Sequence, residues 1–279
     1  MAKILDGKEV TATILQDCAT KVSNKISTDA LAPKLSIISV GDNSSNASYI
    51  KAMQKAAAET GCLFEIHEFD EDIDKQKIIE LIEDLNGDDK TDGILLLRPL
   101  PGELRQFETE ICEVISEDKD VDAACQLSVA GAYLGNNAFA PCTAESCMEI
   151  LHHYGIEIEG KRACVVGRSL VVGKPVANML LNENATVTIC HSKTKNMSSI
   201  TKKADIVIVA TGTPKQFGAK YFSEGQVVID AGINYDEVSG KLCGDVNFEE
   251  VKSKVAAITP VPGGVGSVTT AIILKHTIN

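Results

Sequence analysis

The stretch Gly167-Arg168-Ser169-Leu170-Val171-Val172-Gly173-Lys174-Pro175 has the residue types to cradle a phosphate. It follows an apolar run at 163–166 that reads as a buried parallel strand, and precedes an apolar-periodic segment at 176–181 that reads as a helix. Strand, glycine turn and helix N-terminus together bring backbone N–H groups to an anion, which is how a dinucleotide-binding unit begins. The spacing is not G-x-G-x-x-G, so a turn that merely packs strand on helix is the competing reading. A second strand, at 186–190, bears on the choice of cofactor. NAD sites usually end it on Asp or Glu, which holds the ribose 2′-hydroxyl. Here the chain continues His191-Ser192-Lys193-Thr194-Lys195. A carboxylate would repel a 2′-phosphate, whereas Ser192, Lys193 and Arg168 would attract one. The reading is NADP; NAD stays open, because single basic residues bias the preference rather than fix it. The bland alternative is a solvated basic turn.

Further strands at 206–210 and 227–230 end at Thr211-Gly212-Thr213 and Ala231-Gly232-Ile233-Asn234. Ligands of open α/β sheets sit beyond the carboxyl ends of strands, so both turns are cofactor-contact candidates. The cofactor unit thus runs from about 161 to 258. Ahead of it lie a helix at 10–26, a strand at 34–40, a loop at 41–46 and a helix at 49–60 capped by Ser48 and stopped at Gly61. Then come a strand at 63–68, a helix at 75–85 capped by Asp74, a strand at 93–97 and a helix at 104–115. The run Asp118-Lys119-Asp120-Val121-Asp122 reads as a charged turn, and 144–154 as a connecting helix that ends at Gly155. A last helix at 268–277 is expected to pack back on the first domain. Strands alternating with helices imply an α/β fold with a mostly parallel sheet.

The bulk numbers narrow the function. A chain of 279 residues suffices for two modest α/β domains, and 44% hydrophobic content fits ordinary filled cores. Net charge −12, 4% aromatics and no Trp argue against nucleic acid or an anionic membrane as partner. Nine cysteines without C-x-x-C or zinc spacing fit reduced, mostly buried thiols in a cytoplasmic protein, and no metal is implied. No apolar run is long enough to span a bilayer, and the N-terminus lacks a signal-peptide core. His152, His153 and His276 fall in helix patterns and read as surface or core-edge positions.

An ordered set of motifs along essentially the whole length resembles the methylenetetrahydrofolate dehydrogenase/cyclohydrolase family. Its pieces are Leu5-Asp6-Gly7-Lys8, Val40-Gly41-Asp42-Asn43, Ser48-Tyr49, Pro99-Leu100-Pro101, 118–122, Pro141-Cys142-Thr143, Gly167-Arg168-Ser169 with Val172-Gly173, and His191-Ser192-Lys193-Thr194. Gly232-Ile233-Asn234, Gly244-Asp245-Val246 and the run Thr259-Pro260-Val261-Pro262-Gly263-Gly264-Val265-Gly266 complete it, the last being the most specific. The resemblance implies two α/β domains around a cleft: a folate-binding catalytic domain at 1–142 plus 267–279, and a Rossmann-like NADP domain with a parallel sheet at 143–266. It implies a homodimer of one-carbon metabolism that oxidises 5,10-methylenetetrahydrofolate to the 5,10-methenyl form. Many members then hydrolyse that product. By resemblance Tyr49 and Asp122 position the pterin, and Pro262 and Gly263 line the folate side. Gly167, Arg168, Ser169, Val172, Gly173, Ser192, Thr211, Gly212, Gly232 and Ile233 hold the cofactor.

Two departures concern the second activity. Bifunctional members carry Tyr-x-x-x-Lys on the helix of Tyr49, and that lysine is central to the cyclohydrolase; here the position is Met53. Lys51 and Lys55 lie about 200° and 240° round the helix from Tyr49, while Met53 shares its face. A family Gln that supports the lysine is replaced by Leu97. Two members of one polar network are both apolar, as expected if the network had lost its task. After Asp122 the family usually has Gly and, further on, Asn, where this chain has Ala123 and Ser128. Arg98 stays open: an exposed arginine at a strand end, a contact for the folate glutamate tail, or a partial substitute for the missing cation that keeps the enzyme bifunctional. The rivals are another NADP dehydrogenase acting on an amino or hydroxy acid, for which no Lys, Asp or His base is found in the first domain, and a non-catalytic folate-binding protein, which would have no need of a cofactor half.

Overall fold

A computed structural model of the chain describes residues 1–28, 31–41, 44–135, 139–237 and 239–279, with Ser44 and Ser45 by backbone alone. In chain order come β1 (Lys3–Ile4), α1 (Gly7–Ser27), β2 (Lys34–Val40), α2 (Ser44–Thr60), β3 (Leu63–Phe69), α3 (Lys75–Gly87) and β4 (Gly93–Leu96). A 3-10 turn (Gly102–Phe107) leads to α4 (Glu108–Cys112), α5 (Gln126–Leu134) and α6 (Cys142–His153). Next are β5 (Arg162–Val166), α7 (Gly173–Asn182), β6 (Thr186–Cys190), α8 (Met197–Thr201), β7 (Ile206–Val209) and β8 (Val227–Asp230). The chain closes with β9 (Asn234–Asp236), β10 (Lys241–Cys243), α9 (Phe248–Val251), β11 (Ala257–Ile258) and α10 (Val265–Ile278). It divides into two compact units, residues 12–142 with 270–279, and residues 1–11 with 143–269.

In the unit of residues 12–142 and 270–279, β2 is the centre of a parallel sheet of order β3-β2-β4. Its position explains its sequence: a strand covered on both faces runs apolar, and all of β2 beyond Lys34 is buried. The edge strand β3 mixes exposed and half-buried residues. Helix α3 starts where expected, Asp74 accepting a hydrogen bond from Gln76 N at 2.9 Å. Its Ile78, Ile82 and Leu85, at helical spacing, join Ile38, Val40, Ile94, Leu96 and Ile111 in one core. Each such buried aliphatic side chain contributes about 1.5–3 kcal/mol.

In the unit of residues 1–11 and 143–269, six parallel strands run in the order β1-β11-β8-β7-β5-β6. From β5 the chain first adds β6 on one side, then crosses to add β7, β8 and β11 on the other. The order therefore reverses at the carboxyl end of β5, where Gly167 begins the glycine turn. Beneath the sheet a core gathers Cys164, Val166, Val207, Val209, Val228 and Ile258 with Phe217 and Phe222.

Several sequence expectations shift. Residues 1–11, expected in the first domain, group with 143–269, where β1 pairs in register with β11, Lys3 opposite Ala257. A two-residue strand has no periodicity to read. Helix α2 begins at Ser44, so Ser48 lies inside it rather than capping it, and the loop expected over 41–46 is shorter. The polar Ser-Ser-Asn run looked like loop, but weak propensities yield to the buried face of Ile50, Met53, Ala56 and Ala57. Asp42 and Asn43 lie outside the described residues. The expected helix at 104–115 is a 3-10 turn followed by α4, with Glu108 spending its carboxylate on Leu100 N at 2.7 Å. Helix α5 and the antiparallel β9–β10 hairpin were not anticipated. His276 is no core-edge residue: it is 4% exposed, stacks on Phe139 at 4.5 Å and bonds Val121 O through Nδ1 at 2.8 Å.

Candidate active site

The turns after β5 and β6 lie side by side, because Val166 pairs with Cys190 and Gly167 N donates to Cys190 O at 2.9 Å. Gly167 has φ +138°, and a Cβ there would overlap the carbonyl oxygen of Ala210. A Cβ on Gly173 would crowd Gly167 and the amide of Arg168. The two glycines thus let the turn fold back tightly onto the start of α7. Ser169 shapes it, its Oγ accepting from Val172 N at 3.1 Å and Gly173 N at 3.2 Å. Arg168 stays exposed. After β6, Thr194 Oγ1 accepts from His191 N at 2.9 Å and His191 Nδ1 accepts from Lys193 N at 3.1 Å, which leaves Ser192 and Lys193 exposed. The structure therefore puts Arg168, Ser192 and Lys193 on neighbouring turns and places no carboxylate within 191–195.

The turns after β7 and β8 are different in charge. Asp245 is fully buried. Its Oδ2 accepts from Thr211 N, from Thr211 Oγ1 at 3.0 Å and from Gly212 N at 3.0 Å. Its Oδ1 accepts from Thr213 N at 2.9 Å and Asn234 Nδ2 at 2.8 Å. Asp230, at the end of β8, holds the next layer: Gly232 N at 3.0 Å, Asp245 N at 3.1 Å and Val246 N at 2.9 Å. Burial pushes the Asp230 carboxyl up to about 7, while its three N–H partners favour the charged form. A Cβ on Gly244 or Gly232 would strike one of these two carboxylates, so both positions require glycine. In the sequence Gly244-Asp245-Val246 stands out only as a motif. Its task was hidden because Asp245 lies 34 positions from Thr211 and 15 from Asp230.

Gly232 and Ile233 from the first set of candidates, and Pro262 and Gly263 from the second, share one cavity of about 250 Å³. Asp230, Leu242, Val265 and Gly266 also line it. The Val261–Pro262 bond is cis, and Gly263 has φ +101°. Residues nominated for cofactor and for folate thus meet within this unit.

In the other unit, Tyr49 is half-buried on α2, and Met53, one turn on, is 0% exposed. Lys51 and Lys55 are exposed, Lys55 reaching Glu59 at 3.7 Å, so neither occupies the Met53 position. Leu97 is buried and continues the β4 ladder, its N–H bonded to Ile38 O at 2.9 Å. Arg98 is not the exposed strand-end arginine of the bland reading. It precedes a cis bond to Pro99, and its Nη2 donates to Asp122 Oδ2 at 3.0 Å, the side chains being 20% and 24% exposed. Burial works against the guanidinium charge, but Asp122 together with Cys112 and Glu108 outweighs it and the Arg98 pKa is raised. Asp122 Oδ1 accepts from Cys142 N at 3.3 Å.

The turn that carries Asp122 is built by its neighbours. Lys119 Nζ donates to the carbonyls of Leu85, Asn86 and Asp88 at 2.8–3.1 Å, capping α3. Buried Asp120 accepts from Ala124 N and Cys125 N, each at 2.8 Å. Ala123 has φ +47°, in the left-handed region that glycine adopts more readily than alanine. Cys142 Sγ and His276 both hold Val121 O, at 3.1 and 2.8 Å. Among the described residues no helix is long and apolar enough to cross a membrane.

Comparison with known proteins gives concordant results for both units. Residues 5–122 match the tetrahydrofolate dehydrogenase/cyclohydrolase catalytic domain, and residues 141–279 match the NAD(P)-binding domain of the same family. The bifunctional protein FolD of Clostridium botulinum (strain 657 / Type Ba4) is 45% identical over 280 residues, covering 100% of this chain and 98% of that protein. The crystal structure of the bifunctional enzyme FolD from Campylobacter jejuni superposes with a TM-score of 0.93 at 40% identity, covering 100% of this chain and 98% of that one. The methylenetetrahydrofolate dehydrogenase-cyclohydrolase of Trypanosoma brucei, solved with NADP and an inhibitor, gives 0.91 at 33% identity, with 99% and 96% covered.

Proposed function

Because this chain belongs to the tetrahydrofolate dehydrogenase/cyclohydrolase family, we propose that it oxidises 5,10-methylenetetrahydrofolate with NADP and hydrolyses the methenyl product weakly or not at all. The observation that carries the second half is the fully buried Met53 at the family's lysine position, with apolar Leu97 at the position of its glutamine partner.

The two activities ask different things of the protein. When bound, NADP supplies the hydride acceptor. The methylene carbon gives up a hydrogen with its electron pair and becomes part of a cation; no protein base takes part. The protein's work is to bind and orient, and well-ordered placement alone accounts for several kcal/mol of barrier. In this reading Tyr49 and Asp122 position the pterin. The Asp122 carboxylate suits a donor-rich edge because each oxygen has a further lone pair beyond the bonds from Arg98 and Cys142 N. Pro262 and Gly263 line the folate side. Gly167, Ser169, Val172 and Gly173 shape the turn for the pyrophosphate. Arg168, Ser192 and Lys193 favour a 2′-phosphate, and the NADP-bound trypanosomal relative supports that choice.

Hydrolysis instead needs water to attack the cation and protons to move, which calls for a placed acid–base group worth about 10²- to 10⁴-fold. Met53 and Leu97 offer none. Arg98 does not replace it: a guanidinium has no lone pair, stays charged at working pH, and here is engaged with Asp122. Ser169 and the glycines keep the cofactor turn intact, which removes the motive for a purely folate-binding protein. Homodimerisation and a cytoplasmic location complete the reading, and light scattering of the purified chain tests the former.

The deciding assay follows 5,10-methylenetetrahydrofolate with NADP, scoring NADPH and methenyl absorbance separately. Methenyl that accumulates in step with NADPH is expected. NADPH without methenyl would show that hydrolysis survives through another group, and no reduced cofactor would end the dehydrogenase reading.

A further inference from the structure

The carboxyl edge of the six-stranded sheet is polar in charge. Over β5 and β6 it carries exposed Arg168, Lys174, Lys193 and Lys195. Over β7 and β8 it carries the buried pair Asp245 and Asp230, which faces the backbone amides of 211–213, 232, 245 and 246. Asp245 consumes the amides of three consecutive residues in the 211–213 turn. Those amides are the groups a strand-end turn would otherwise offer to a phosphate. A phosphate over this turn would find its donors taken and a carboxylate behind them. The cavity against Asp230, Gly232 and Ile233 lies at this same acidic end.

We propose that Asp245 is a positioning residue for the nicotinamide half of the dinucleotide: it turns 211–213 away from phosphate binding and, through Asn234, fixes that turn to 232–234. The phosphates then belong to the basic end, at 167–173 and 192–195, and the nicotinamide, cationic before reduction, to the acidic end. Asp230 supports the arrangement by holding the backbone of Asp245 and Gly232. The inference rests on the NADP-dehydrogenase reading above and deepens it, because it gives the sheet edge a direction.

The test compares wild type with Asp245→Asn, using the full-length protein. Asparagine keeps the shape but replaces one acceptor with a donor, so it must face at least one N–H that it cannot satisfy. Two ligands are titrated: NADP, and adenosine 2′,5′-bisphosphate, which has the adenosine and 2′-phosphate but no nicotinamide. The expected result is a tenfold or greater loss of NADP affinity and a kcat about 10- to 100-fold lower, with bisphosphate affinity unchanged. Equal weakening of both ligands, or an unchanged kcat, would overturn the proposal. Should Asp245→Asn fail to fold, Thr211→Val decides in the same way. It removes only the hydroxyl bond to Asp245, and Thr211→Ser should restore the wild-type pattern. Absence of NADPH formation by wild type would refute the underlying function reading instead, so the two failures are distinguishable.

Discussion

Arg98 and Asp122 form a close ion pair, Nη2 to Oδ2 at 3.0 Å, between the residue after Leu97 and the last residue of the 118–122 turn. With Cys142 N on the other oxygen, the carboxylate is held at two points and its remaining lone pairs are fixed in direction.

Removing Arg98 should therefore weaken folate binding. For Arg98→Leu we expect the KM for methylenetetrahydrofolate to rise about 5- to 100-fold, the equivalent of about 1–3 kcal/mol for a half-buried carboxylate that loses its partner, while NADP affinity stays constant. Steady-state kinetics with each substrate varied in turn makes the comparison. A fall in KM would mean that the arginine competes with substrate for Asp122, contrary to the positioning role.

The double variant Met53→Lys, Leu97→Gln should gain methenyltetrahydrofolate hydrolysis by about 10²-fold or more. Met53→Lys alone should be the least stable of the set, because it buries a cation without its supporting amide. Loss of the methenyl absorbance, corrected for the spontaneous rate, reports the gain. If wild type already hydrolyses well above that rate, the apolar pair does not mean what we propose.

Gly167→Ala should abolish cofactor binding or folding, since its Cβ would overlap the Ala210 carbonyl oxygen and φ +138° is foreign to alanine. Gly225→Ala is a control with a contrasting prediction. It also has positive φ, +81°, but nothing lies within 4 Å of its Cβ, so the cost should be limited to about 1–2 kcal/mol of backbone strain. Thermal shift with and without NADP separates the two, and equal damage from both would count against the close-approach argument.

Asp230 makes stability depend on pH in an unusual direction. Its carboxyl is raised from 3.8 to about 7 in the folded chain, with Asp245 the charged group facing it. Between those values the folded state binds more protons than the unfolded one, so this group's contribution declines as pH rises from about 4 to 7 and is spent above 7. The upper bound is about 4 kcal/mol, at about 1.4 kcal/mol per unit. Asp230→Asn lacks the titration. Urea unfolding at pH 5 and pH 8 should show wild type losing ground relative to the variant at the higher pH, and a gap that does not change with pH would rule the effect out.

What was legible in the sequence was what local chemistry controls. Parallel strands are legible from their apolar and β-branched residues, and 34–40, 186–190 and 227–230 are found with those bounds, the first and last largely buried and 186–190 a mostly exposed edge strand. Gly167, Gly173 and Asp74 were readable because a tight turn and a helix start each demand a particular residue type on the spot. Helix α5 escaped because its cap is Cys125, whose sulfur accepts from Ser128 N at 3.4 Å, an unfamiliar capping residue. Arg98 was visible as a residue but not as a partner, since 24 positions separate it from Asp122.

By itself, then, the sequence determined the alternation of strand and helix, the glycine turn, the basic 191–195 segment and the apolar character of positions 53 and 97. Only the tertiary structure decided that β1 joins β11, that His276 is core, that Arg98 serves Asp122, and that Asp245 takes the amides of 211–213. The physical reason is the range of the interactions. Propensity, capping and steric demand act over a few residues and leave a local imprint. Hydrogen bonds and ion pairs between distant segments depend on where folding places their partners, and a single aspartate in a sequence does not say which amides it will hold.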